Sequence, residues 1–130
     1  MNLYRPELKR FRFLRWFDFR TWRLGMIAYI LNRVTALGLV LYLYIHLVVL
    51  TMLAAGPKSW DPFVAIVHSP FFLALDVILL AGLLIHGLNG LRVALTGFGY
   101  GVRAQKPLFV ALMIFAAILL VLGAIKIFTG

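Results

Sequence analysis

The residues with chemistry to offer are few, and they sit where such residues are rare. Arg33, His46, Asp76, His86 and Arg92 are ionisable groups inside long apolar runs. A charged side chain at the centre of a membrane costs ~3 kcal/mol on insertion scales, so each implies a buried partner or a task. The densest cluster is "LIHGLNGLR", residues 84 to 92. On a helix, Gly82 and Gly90 flank His86 at four residues to either side and clear side chains from its face. Such a strip serves either a closely packed helix, with the imidazole hydrogen-bonded across it, or a flat macrocycle whose iron takes an imidazole nitrogen. Arg92 follows about 9 Å further along the helix, within reach of a propionate on such a ring. Asn89 is expected beside the strip.

His46 lies in "LYLYIHLVVL", with Tyr42 and Thr35 on roughly its face and Arg33 on another. A lone histidine in an apolar helix is commonly a hydrogen-bonded packing residue, so the same two readings stand open for it. The spans below put His46 and His86 at heights differing by roughly 10 Å, whereas two ligands of one iron must share a height. As ligands they would therefore serve two stacked haems, each completed by a histidine of another chain. Arg33 and Arg92 lie a turn or two inside one end of their spans, where arginine can also simply snorkel to the surface. His68, between the first two spans, and Asp76, about a turn into the second, receive no role.

Long apolar helices must position these groups. Of 130 residues, 64% are apolar and 13% charged, and the mean hydropathy of +1.01 excludes a soluble globular domain. The chain reads as a single membrane domain, 1–130, with transmembrane helices at 25–55, 70–96 and 107–128, each long enough to cross ~30 Å of hydrocarbon. "AAGPKSWDPF" breaks the first span, and a loop is expected to Ser69, with Trp60 as an interfacial aromatic and Pro70 opening the second span.

Residues 1–24 read as a cytoplasmic and interfacial segment. Within 5–23, seven of the thirteen basic residues interleave with Phe11, Phe13, Trp16, Phe17, Phe19 and Trp22, the pattern of an amphipathic helix lying in the interface, with a simple positive anchor that sets orientation as the open alternative. That basic region is too long, and the following apolar run too extended, for a signal peptide. "GFGYGVRAQKP" joins the second and third spans. It is glycine-rich and basic but follows a helix rather than a strand, which is the wrong context for a nucleotide phosphate loop. Basic residues are concentrated before the first span and in this connection, so the N-terminus is expected in the cytoplasm and the C-terminus outside. No transit-like segment precedes the basic stretch, which favours a bacterial or archaeal plasma membrane over a mitochondrion.

There is no cysteine, so this chain can form no disulfide, iron–sulfur cluster or thiolate nucleophile. The net charge of +9 would suggest nucleic acid in a soluble chain; here it sets orientation and favours anionic lipid heads, with no nucleic-acid partner expected.

The pattern H-x3-G-x-R, carried by His86, Gly90 and Arg92 and followed by a short glycine-containing turn, resembles the cytochrome b membrane-anchor subunits of succinate dehydrogenases and fumarate reductases. "ILNRVTALGL" is similar to that family's arginine, hydrophobic residue, Thr or Ser, and small residue. The basic N-terminal segment followed by three spans also resembles the family's three-helix type of anchor. The likeness runs from about residue 26 to about residue 100.

The resemblance implies an all-α membrane protein. Its three transmembrane helices and N-terminal interfacial helix would form a haem-binding bundle with a second anchor subunit and dock an iron–sulfur subunit and a flavoprotein subunit. It implies His86 as an axial ligand of haem b, Arg92 as a propionate partner and Arg33 in a quinone pocket. His46 corresponds to the first-helix histidine of two-haem members. Where many members carry a serine four residues before the arginine and a histidine immediately before it, this chain has Tyr29 and Asn32. A tyrosine hydroxyl can still donate to a quinone carbonyl, so Tyr29 joins Arg33 in that pocket.

The function so implied is that of respiratory complex II, in which electrons from succinate pass through the iron–sulfur subunit to a quinone, menaquinone among the candidates. Succinate oxidation itself would occur elsewhere, since this chain has no flavin motif. Two competing readings share the composition: a haem-free small membrane interaction or assembly protein, and a cytochrome b subunit of another respiratory dehydrogenase.

Overall fold

The computed structural model describes residues 23–130; the interfacial helix read from residues 5 to 23 lies, apart from Arg23, outside the described residues. Four α-helices follow in order: α1 (Leu24–Ala54), α2 (Pro57–Val67), α3 (Pro70–Gly97) and α4 (Gln105–Thr129), with a short 3-10 turn (Val102–Ala104) leading into α4. Three segments, Leu24–Ala54, Pro70–Gly97 and Val102–Thr129, are long and apolar enough to cross a membrane. Helix is the form such segments must take, because hydrocarbon offers no partner for backbone N–H and C=O groups and a helix satisfies them internally. The 31 residues of α1 extend ~46 Å, so α1 either tilts or carries its ends into the headgroup region.

The helix ends follow local chemistry. Pro57 and Pro70 stand at the first positions of α2 and α3, where the missing N–H is no loss and the fixed φ suits a helix. Gly99 (φ 88°) and Gly101 (φ 69°) adopt left-handed backbone, which a Cβ disfavours, and they reverse the chain between α3 and α4. The loop expected up to Ser69 instead contains α2. Proline was the misleading signal there: Pro57 starts the helix rather than preventing it. Pro62 is accommodated inside it because the carbonyl left without an N–H belongs to exposed Lys58 and can be satisfied by water. Trp60 and Phe63, with ring centroids 5.5 Å apart, line one side of α2.

α3 is the central helix, packed along α4 on one side and α1 on the other, while α1 and α4 barely meet. α3 and α4 pack closely at Gly123, where a Cβ would collide with the Leu80 side chain; small residues permit this closeness between membrane helices. Among the described residues only Ala28, Asn89, Phe109 and Ala116 are buried, so most large apolar side chains face outward to lipid or to other subunits. A Cβ added at Gly82, Gly87 or Gly90 would meet nothing within 4 Å. The glycines around His86 therefore leave open space rather than a seam between this chain's own helices.

Candidate functional site

The polar residues of α1 and α3 converge where α1 begins and the antiparallel α3 ends. Two backbone carbonyls of α1, one turn apart, receive side chains from α3. Asn89 Nδ2 donates to the Ala28 carbonyl at 2.9 Å, and His86 Nδ1 lies 3.2 Å from the Asn32 carbonyl. Ala28 is fully buried, and its small side chain lets the helices come this close. Asn89 is 1% exposed, and its Oδ1 accepts from Arg92 Nε at 3.0 Å. Asn89 is therefore a clamp in the α1–α3 seam. His86, Asn89 and Arg92 recur at intervals of three and so share a face, the one signal in the sequence that could have found this.

The hydrogen bonds around His86 assign its tautomer. Thr35 Oγ1 lies 3.4 Å from His86 Nδ1, and the hydroxyl gives its own proton to the Leu31 carbonyl at 2.6 Å. Both neighbours of Nδ1, the Asn32 carbonyl and the Thr35 oxygen, are thus acceptors. Nδ1 must carry a proton, so the neutral imidazole has its lone pair on Nε2. Among the described residues Nε2 has no hydrogen-bond partner, and a Cβ at Gly82 or Gly90, four residues to either side of His86, would meet nothing within 4 Å.

No three His, Cys, Asp or Glu side chains converge among the described residues, so a bare ion would lack ligands. A haem brings four nitrogens of its own and asks a chain for only one imidazole. His86, oriented through Nδ1 and open at Nε2, fits that demand.

His46 lies further along α1, half-buried. Its ring stacks on Tyr42 at 5.5 Å and 22°, with the tyrosine hydroxyl at 3.5 Å from Nδ1. Thr35, on roughly the same helix face as His46, contacts His86. The eleven residues from Thr35 to His46 return to nearly the same side of the helix but advance ~16 Å. The two histidines are accordingly further apart in height than the roughly 10 Å expected, because the carbonyl bonds at Ala28 and Asn32 set a register that no single-helix pattern reveals. One iron cannot take both.

Arg33 and Tyr29 are both exposed, with the guanidinium carbon 5.1 Å from the tyrosine ring centroid, a cation–π pair one turn apart. Asn32 Oδ1, between them in sequence, is buried without a partner among the described residues. Arg92 sits over the Phe109 ring at 5.5 Å and borders an open cleft with Arg103 and Lys106. His68 and Asp76 are exposed, away from this cluster. Phe109, the Asn32 carbonyl and the Thr35–His86 contact are contributions that sequence reasoning missed.

Replacing Asn89 with leucine removes both bonds of the clamp at little change in volume. Interhelical hydrogen bonds in membranes contribute about 1–2 kcal/mol at most, so Asn89→Leu should destabilise the detergent-solubilised protein by about 1 kcal/mol, read as a lower thermal unfolding midpoint.

The succinate dehydrogenase/fumarate reductase transmembrane subunit family matches residues 1–125. The succinate dehydrogenase hydrophobic membrane anchor subunit of Halobacterium salinarum is 30% identical over 119 residues, which is 91% of this chain and 89% of that protein. A membrane subunit of succinate dehydrogenase 2 from Mycobacterium tuberculosis is 29% identical over 83 residues, 63% of this chain and 61% of its own length. A match along nearly the whole length agrees with the three apolar helices, and the chain belongs to the transmembrane subunit family of succinate dehydrogenases and fumarate reductases.

Proposed function

We propose that this chain is a membrane-anchor subunit of a succinate:quinone oxidoreductase, that it ligates haem b through His86, and that Arg33 and Tyr29 contribute to its quinone site. The observation that carries the reading is the His86 ring itself, with Nδ1–H held by the Asn32 carbonyl and Nε2 open. A backbone carbonyl behind a ligating imidazole fixes the tautomer and makes the free nitrogen more basic. When bound, such a group relays single electrons, because an iron with two imidazoles has no open position for a substrate. His46, with Nδ1 turned to the Tyr42 hydroxyl, would serve a second haem of different height.

Arg92 has its Nε occupied by Asn89 and keeps its terminal N–H groups for a propionate. Arg33 supplies a fixed positive charge for a partly anionic reduced quinone, and Tyr29 a hydroxyl that donates to a quinone oxygen. A quinone gathers two electrons and two protons, so its site belongs near a surface that can deliver protons. Both residues lie in the third helical turn or earlier of α1, close to its N-terminal end.

The end bearing Arg23, Arg103 and Lys106 faces the cytoplasm, and the C-terminus faces outside, in a bacterial or archaeal plasma membrane. The flavoprotein and iron–sulfur subunits dock at the cytoplasmic end, and a second membrane anchor lies over the open side of α3 and completes the iron ligation. Ubiquinone and menaquinone both suit the pair of donors. The haem-free reading explains the Nδ1 bond but leaves the open strip without a purpose, and the family match favours succinate dehydrogenase over another respiratory dehydrogenase.

The purified complex, reduced with succinate, should show the reduced-minus-oxidised bands of b-type haem at two haems per complex. A single haem would return His46 to a packing role, and a colourless complex would overturn the haem reading.

A further inference from the structure

The connection between α3 and α4 has a use unrelated to nucleotides. Its reversal at Gly99 and Gly101 brings Arg103, Gln105 and Lys106 opposite Arg92 and the start of α1, around an open cleft of about 500 Å³. Among the described residues, three cations line this cleft and no carboxylate does. The two carboxylates among the described residues, Asp61 in α2 and Asp76 near the start of α3, are at the other end of the bundle. Like charges gathered in this way repel unless an anion lies between them.

The cleft is also organised. Arg92 is held by its bond to Asn89 and its seat over Phe109, and it forms a fixed cationic wall of the cleft beside Arg103 and Lys106. Leu24 and Phe109 supply apolar wall beside the cations. This combination lies where the ends of three helices meet, at the depth where hydrocarbon gives way to headgroups, and basic pockets of that kind suit anionic lipid heads.

We propose that this cleft binds the phosphate of an anionic phospholipid, with Arg103 and Lys106 on the phosphate oxygens and Leu24 against the upper acyl chains. The site does not depend on haem or quinone binding. It ties the start of α1 to the start of α4, two helices that scarcely touch each other directly.

The test uses the delipidated complex in detergent, wild type against the double variant R103Q/K106Q, titrated with phosphatidylglycerol or phosphatidylcholine and read by native mass spectrometry. Wild type should prefer phosphatidylglycerol, and the double variant should bind it about 30-fold more weakly, at the contribution expected per basic residue. The charge-preserving variant R103K/K106R should retain binding, and haem absorbance should be the same in all three. Equal affinity for the two lipids, or a double variant that binds like wild type, would overturn the site. Displacement of phosphatidylglycerol by millimolar inorganic phosphate would assign the cleft to the free anion and overturn the lipid.

Discussion

The complex carrying His86→Asn is expected to assemble, keep its thermal midpoint close to that of wild type, and lack one haem. Asparagine is chosen because its Nδ2–H occupies nearly the position of the imidazole Nδ1–H and can still donate to the Asn32 carbonyl. What it lacks is the second ring nitrogen. If His86 is a packing residue, its only bonds are those at Nδ1, and His86→Asn should change little of anything. If it ligates iron, the haem-to-complex ratio falls by one while the helix contact survives. The more drastic His86→Ala removes both functions and so cannot separate them, but it should also remove that haem. His46→Asn should remove the other haem and leave the first in place, because ~16 Å of helix separates His46 from the level of His86. Reduced-minus-oxidised spectra with a haem count on each complex read all of these outcomes, and a wild-type spectrum from His86→Asn would defeat the assignment.

How much of this could be read from the residues divides along a physical line. The three membrane helices are local properties of composition, and hydropathy marks them without reference to one another. The placement of His86 between glycines is likewise local, and the open space over Gly82 and Gly90 agrees with it. What remained hidden depends on register between helices. Thr35 shares a face with His46 by angle, yet the bonds from Asn89 to Ala28 and from His86 to Asn32 bring it beside His86. Asn89 and His86 also form opposite products of one pattern. Both are polar residues at close spacing on α3, but one is sealed in the seam and the other keeps a nitrogen open, a difference set by which α1 carbonyl each one meets. In α2 the obstacle was chemical rather than geometric, since proline both starts helices and breaks them and its position within the turn decides which.

Arg33→Leu should lower succinate-driven quinone reduction about 100-fold, a loss typical of removing one charged or hydrogen-bonding group from a developing anion. The guanidinium is exposed on α1, and its close neighbour in the structure is the Tyr29 ring. No buried network collapses when it goes, so haem content and the reduction of an artificial dye by succinate should stay at wild-type levels. Those two controls separate a quinone role from an assembly role, in which all three readouts would fall together. Tyr29→Phe isolates the hydroxyl, because phenylalanine keeps a face for the cation–π contact and loses only the donor. Its effect on quinone reduction should be smaller, about tenfold if the hydroxyl contributes about one neutral hydrogen bond to the reduced quinone. Arg33→Lys keeps the charge but replaces a planar fork with a point charge, so it should fall between wild type and leucine. If Arg33→Leu reduces quinone at the wild-type rate, the arginine merely snorkels at the end of its span, and the quinone must bind against other residues.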